Sequence, residues 1–381
     1  MKKQLCLILA ALMLLSACGK TPEPAPTTAP TTAPLETTAP HVTTVPATAP
    51  PTSGLPLYSD IRYIAGFEGK EIYKEDEYDR DWIYTYYFNA STILEGAEDL
   101  QAQILEEGKN PGLGVRSLHA QGITGEGVNV AIIDQKLLLG HPEYAGKIAA
   151  YYEHDTIQPS AFGSMHGPAV TSLLVGETIG VAPGARVYYA AYVGTDSANY
   201  ADCLRWIIEQ NERLPEGEKI RVVSRSGAPS GENRDMWSDA VQAAKGAGIL
   251  VIDCRAGEAS GFVGPAYFDR LDRESPAKCT GGFLNQETVK MDQWIGAPIS
   301  YRTVAEAYTD DSYSYQYDAV GGLSWAIPYV AGVLALGWQV NPELDSDGLV
   351  KLLYQTSVHG KNAWSIIDPV AFIAAVQETV K

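Results

Sequence analysis

Three short segments hold residue types that can move a proton or attack a carbonyl carbon. The first is Val128-Asn129-Val130-Ala131-Ile132-Ile133-Asp134, an apolar run that ends on an acid. A carboxylate taken out of water needs a charged or hydrogen-bonding partner, and a histidine N–H is a suitable one. A strand-end aspartate that caps a turn is the commoner reading of such a pattern. The second segment, Ser164-Met165-His166-Gly167-Pro168-Ala169-Val170-Thr171-Ser172-Leu173, puts a histidine at the mouth of an apolar helix. Pro168 suits the first turn, where the amides have no intrahelical acceptor. A helix N-terminus disfavours imidazolium, so His166 is expected to rest neutral and able to accept a proton, and Gly167 lets another chain approach its ring. The third, Gly321-Gly322-Leu323-Ser324-Trp325-Ala326-Ile327-Pro328-Tyr329-Val330-Ala331-Gly332, places a serine at the start of a helix apolar on all sides. There Ser324 is either an ordinary helix cap or a nucleophile that offers its own backbone amide to a developing oxyanion.

The elements that must bring these residues together are legible from about Gly112 onward. Val128–Ile133, Arg186–Val193, Ile220–Val223 and Ile249–Ile252 read as short buried strands, and Ala169–Val175 and Met236–Lys245 as helices. Near-continuous apolar strands alternating with helices predict an α/β fold whose parallel sheet is covered on both faces. Reactive groups in such sheets collect at the carboxyl ends of the strands, where Asp134 falls.

The order Asp, His, Ser with these flanking residues resembles the three active-site blocks of the subtilisin-like (subtilase) peptidases. Gly180-Val181-Ala182-Pro183-Gly184-Ala185, His141-Pro142-Glu143 and Asn341-Pro342-Glu343-Leu344 extend the likeness, which runs from about Gly114 to Val376. The resemblance implies a subtilisin-like α/β fold and a catalytic triad of Asp134, His166 and Ser324. It implies acyl transfer by a serine endopeptidase on a polypeptide substrate, with no metal or organic cofactor and a monomeric chain. Ser224, Arg225, Ser226 and Gly227 fall where the family has a segment that pairs with substrate backbone. Arg225 there either favours acidic residues near the cleavage point or folds back onto a local acid.

The pattern also departs from the family. Gln135-Lys136 replaces the usual Thr-Gly or Ser-Gly after the aspartate, Gly167-Pro168 replaces Gly-Thr, and Leu323-Ser324-Trp325 replaces Thr-Ser-Met. After the strand Ile249–Ile252 the family places an asparagine that donates to the oxyanion, whereas Asp253-Cys254-Arg255-Ala256-Gly257-Glu258 contains none. Loss of one such donor costs on the order of 10²–10³ in rate. A backbone amide near Gly257, or the side chain of Asn285 or Arg255, is the expected substitute beside the amide of Ser324. The alternative to an enzyme is a weak or inactive subtilase-shaped lipoprotein that binds peptides, and a purely structural lipoprotein is a third reading.

The N-terminal sequence adds an address. Lys2, Lys3, the apolar run Leu5–Leu15 and Leu15-Ser16-Ala17-Cys18-Gly19 form an export signal (1–17) that resembles a bacterial lipobox, which implies cleavage before Cys18 and its lipidation. Acyl chains on Cys18, each buried methylene adding about 0.8 kcal/mol, would hold the chain to the outer face of a cell membrane. Residues 18–54 repeat Thr-Thr-Ala-Pro and cannot bury a core, so they are expected to be a disordered, semi-rigid stalk. Residues 55–110, with the aromatic run Trp82–Phe88, are an N-terminal extension or a short pro-segment, the extension being favoured, and 111–381 is the peptidase domain. Removing residues 1–17 takes the formal net charge from −18 to −20. That excludes a phosphate-neutralising nucleic-acid binder. Cys203, Cys254 and Cys279 remain, an odd number at no metal-ligand spacing, compatible with at most one disulfide.

Overall fold

Side chains alternate faces along a strand, and the run Val130-Ala131-Ile132-Ile133 uses both. Val130 and Ile132 point into one apolar cluster, Ala131 and Ile133 into a second on the opposite face. A strand buried on both sides in this way belongs inside a parallel sheet. In the computed structural model it does, and the described residues are 56–62, 72–74, 79–157, 165–228, 232–254, 261–282, 294–307, 313–361 and 364–380. The export signal, the stalk, Cys18, Arg255, Gly257 and Asn285 lie outside them.

Five strands form the central parallel sheet: β1 (Asn129–Asp134), β2 (Ile148–Glu153), β3 (Arg186–Ala191), β4 (Ile220–Arg225) and β5 (Leu250–Asp253). Their spatial order is β2-β3-β1-β4-β5. The register sets Asp134 beside Ala191, Ile132 beside Ser224 and Arg225 beside Asp253. The chain fills one side of β1 and then crosses to the other, so the strand order reverses at β1 and leaves a crevice at its carboxyl end. Asp134 ends β1 at that crevice.

Helices α1 (His166–Val175) and α4 (Leu323–Val340) cover one face, and α2 (Ser197–Arg213) and α3 (Arg234–Gly246) the other. Each large aliphatic side chain so buried contributes about 1.5–3 kcal/mol. Helix α4 is long and apolar enough to cross a membrane by length and composition, but every residue from Trp325 to Trp338 is buried in the core. The family-like segment His141-Pro142-Glu143 also serves the fold. The imidazole of His141 meets the Ser314 carbonyl at 3.0 Å, and the Glu143 carboxylate accepts from Thr178 and Tyr315.

Ile61 and residues between 83 and 104 pack against the hairpin β6 (Arg302–Glu306) and β7 (Ser314–Asp318). The short strand Phe88–Asn89 pairs with β7, the Phe88 and Tyr317 rings stack 5.0 Å apart, and Thr303 Oγ1 donates to the Leu105 carbonyl at 2.7 Å. Ile61, Ile83, Tyr84, Tyr86, Phe88, Leu94 and Ile104 are buried with Tyr317 and Ala319 in one apolar cluster.

Candidate active site

Asp134 is 6% exposed and its Oδ1 lies 2.7 Å from Nδ1 of His166, the first residue of α1. The same oxygen accepts from the Gln135 amide at 2.8 Å. Gly167 makes the approach possible. A Cβ there would sit 2.3 Å from the Gln135 carbonyl oxygen and 2.7 Å from the Tyr189 hydroxyl, so only glycine fits between the β1 turn and the histidine. Burial works against imidazolium, but Asp134, by charge and hydrogen bond, and Asp318 by charge outweigh it, so His166 titrates above the ordinary histidine value. The helix N-terminus is expected to disfavour the imidazolium, whereas the two carboxylates favour it, because a full charge nearby exceeds the half-charge of a helix end.

Ser324 follows the first residue of α4, where the backbone amide has no intrahelical acceptor. Gly321 sets the entry to this helix in a left-handed turn (φ 66°), and a Cβ there would meet the Ile299 carbonyl at 2.1 Å. The Ser324 hydroxyl donates to the Ser226 carbonyl at 3.3 Å, and the Ser226 hydroxyl donates to the Ser324 carbonyl at 2.8 Å. The second bond has a clear cause. Pro328 stands four residues after Ser324 and has no N–H, so the Ser324 carbonyl lacks its helical donor, and Ser226 takes that place. The hydroxyl of Ser324 therefore rests on the loop after β4. The indole of Trp325, its chain neighbour, stands 5.6 Å from the His166 ring, centroid to centroid.

Residues 224–227 line the carboxyl end of β4. Ser224 is buried, and its hydroxyl has no hydrogen-bond partner among the described residues. Arg225 departs from both readings of the sequence. It is 2% exposed, and its guanidinium lies 3.8 Å from the Tyr200 ring centre and 4.8 Å from that of Trp237, while Nη1 donates to the Gly227 carbonyl at 2.7 Å. A planar, weakly hydrated cation stacks well on aromatic faces, and helices α2 and α3 supply two of them. Next along the sheet, Asp253 is fully buried and accepts from the Trp237 indole at 3.0 Å. Burial pushes the thiols of Cys203, Cys254 and Cys279 up to about 12, and all three are free. Of the oxyanion candidates only Ser324 falls within the described residues; Gly257 and Asn285 do not.

No sequence pattern points to Asp318, at the end of β7. It is 3% exposed; Oδ2 accepts from the Trp325 indole N–H at 3.1 Å, and Oδ1 pairs with Arg62 Nη1 at 3.4 Å. Burial pushes its carboxyl up to about 6 against the pull of Arg62, Trp325 and Gln316.

Residues 125–282 match the family model described as "Subtilase family". Asp134 and His166 fall inside the matched span, and Ser324 lies beyond it. The chain is similar to subtilisin NAT of Bacillus subtilis subsp. natto, 26% identical over 227 residues that cover 58% of each chain. It is also similar to the serine protease AprX of Bacillus subtilis (strain 168), 25% identical over 66% of this chain and 65% of that one. Among solved structures, the prenylagaramide maturation protease PagA shares the fold with a TM-score of 0.52 at 15% identity, over 69% of this chain and 98% of that one. Fervidolysin from Fervidobacterium pennivorans does so with a TM-score of 0.52 at 18% identity, over 69% of this chain and 44% of that one. These findings make residues 125–282 similar to the subtilase family and give the chain a subtilisin-like α/β fold. It spans a little under three fifths of the length of subtilisin NAT.

Proposed function

We propose that the chain is an extracellular serine endopeptidase held to a bacterial membrane through a lipid on Cys18, with Asp134, His166 and Ser324 as its catalytic triad. The observation that carries this reading is the 2.7 Å hydrogen bond from Asp134 to Nδ1 of His166, at the carboxyl end of β1 where the sheet order reverses. That bond fixes the ring tautomer and leaves Nε2 to act as base. Ser324 Oγ gives its proton to Nε2 and bonds to the scissile carbonyl carbon, and the carbonyl oxygen takes the negative charge. The Ser324 amide, at the start of α4, donates to that oxygen. The tetrahedral species collapses with cleavage of the C–N bond, the proton passes from His166 to the leaving amine, and water hydrolyses the acyl-enzyme by the same steps. For the first step the Ser324 hydroxyl must leave the Ser226 carbonyl and turn toward His166.

That resting bond, and the missing family asparagine, favour one rival: a subtilase-shaped lipoprotein that holds peptides without cutting them. A fluorophosphonate probe separates the two. Covalent labelling of the full chain, lost in Ser324→Ala, is expected of the peptidase; folded protein that binds peptide but takes no label is the rival's result. Retention of the wild-type chain in the membrane fraction, lost in Cys18→Ala, tests the anchor.

A further inference from the structure

Arg62, Asp318, Trp325 and His166 make a continuous series of contacts from the N-terminal extension to the candidate base. Arg62 Nη1 is 3.4 Å from Asp318 Oδ1 and 3.3 Å from Gln316 Oε1, while its other nitrogens hold Asp60 at 2.6 and 2.9 Å. Gln316 Nε2 stands 3.4 Å from both Asp318 oxygens, so the carboxylate is gripped on one edge by the extension and β7. Its other edge holds the Trp325 indole, and that ring faces His166 at 5.6 Å with a 46° tilt. Trp325 is 5% exposed and adjoins Ser324 in the chain, so any shift of the indole moves the start of α4.

A buried carboxylate carries a desolvation cost that a purely structural position could avoid with an amide or an apolar group. Here it is placed where one residue touches both the helix of the nucleophile and the ring of the base. We propose that Asp318 is a positioning residue of this site: through the Trp325 indole it fixes the start of the Ser324 helix against His166, and Arg62 makes the N-terminal extension part of the working site. The inference rests on the peptidase reading for its consequence in rate, but not for the coupling itself. If it holds, the extension cannot be shed as a pro-segment without loosening the nucleophile.

The groups that face Asp318 are Arg62 and Asp60 from the extension, Tyr87 beside them, Gln316 on its own strand and Trp325 on α4; those that face His166 are Asp134 on β1 and Asp318. Three variants of the full chain test the proposal: Trp325→Phe, which keeps a ring and deletes the N–H, Asp318→Asn, and Arg62→Gln. The readouts are the fluorophosphonate labelling rate of Ser324, split into binding and reaction, and the NMR signals of the His166 ring and of the seven tryptophan indoles. Trp325→Phe is expected to slow the reaction step on the order of 10-fold with probe binding nearly unchanged, as small misplacements of a reacting group do. Asp318→Asn and Arg62→Gln are expected to move the Trp325 indole and His166 signals while the Trp237 indole, bound to Asp253, stays in place. Folded variants that lose thermal stability yet keep the His166 signals and the reaction rate would overturn the proposal, since the contact would then serve the fold alone. If the wild-type chain takes no label, the peptidase reading fails by itself; His166 signals that still respond to Trp325→Phe uphold the relay, and signals that do not respond overturn it.

Discussion

Replacing Asp318 by asparagine removes a buried charge and keeps an oxygen that can accept from the Trp325 indole. The effect on stability follows from where this carboxyl titrates. Burial raises it from 3.8 to about 6 in the folded chain. A carboxyl whose folded value is raised binds its proton more tightly in the native state, so ionisation weakens the fold. The penalty is absent below the unfolded value, builds as pH rises from about 4 to 6, and is complete above that. A rise of about two units corresponds to roughly 3 kcal/mol. That net value already includes the pull of Arg62, which in the variant keeps Asp60 at 2.6 Å. Asp318→Asn should therefore be more stable than wild type by about 3 kcal/mol at pH 7.5. The gap should narrow through pH 5 and close near pH 4. Urea denaturation at these three pH values, with a common slope, measures it. A variant less stable than wild type at neutral pH, or a gap that does not change with pH, would refute the reasoning, because Arg62 and Gln316 would then hold the carboxylate ionised at no cost. A stabilised variant with slower labelling would show a site that gives up stability for position.

Labelling of Ser324 should rise with pH through a midpoint above the ordinary histidine value of 6.5, because Asp134 and Asp318 favour the imidazolium that cannot act as base. Asp318→Asn, by removing one of those charges, should shift that limb to lower pH, and a limb that stays or moves up counts against the assignment. Ser226→Ala leaves the Ser324 carbonyl without its donor, since Pro328 cannot supply one; it should cost about 1–3 kcal/mol in denaturant unfolding. An unchanged midpoint would mean that water replaces the hydroxyl freely. Phe88→Ala removes a fully buried ring stacked on Tyr317 and should cost about 3–5 kcal/mol in a single cooperative transition. A separate early transition for residues 56–110 would show that the extension folds apart from the sheet.

The central sheet was legible because parallel strands buried on both faces are nearly continuous apolar runs. Val128–Ile133, Arg186–Val193 and Ile249–Ile252 match β1, β3 and β5 within a residue or two. Asp134 and His166 were readable for a local reason: an acid at a strand end, and a histidine before glycine and proline at a helix start. The contacts that surround them were not. Arg225 lies between Tyr200 and Trp237, residues 25 and 12 positions away on separate helices, and no spacing along the chain announces a cage built across three elements. Asp318 looks like one more surface acid in an acidic chain until β7 buries it. The substitution of tryptophan for the family's methionine after Ser324 was visible, but its meaning depends on a carboxylate that only the hairpin brings within reach.

The claim on which the rest depends is that Ser324 is a nucleophile activated by His166 and Asp134. The direct measurement is the site of fluorophosphonate attachment, read by mass spectrometry of peptides from the wild-type chain, Ser324→Ala and His166→Ala, each shown to be folded by its thermal transition. Modification of Ser324 in wild type, slowed at least 10²-fold in His166→Ala and absent in Ser324→Ala, is the expected result. Modification that persists at the same rate in His166→Ala, or that falls on another residue in Ser324→Ala and wild type alike, would contradict it.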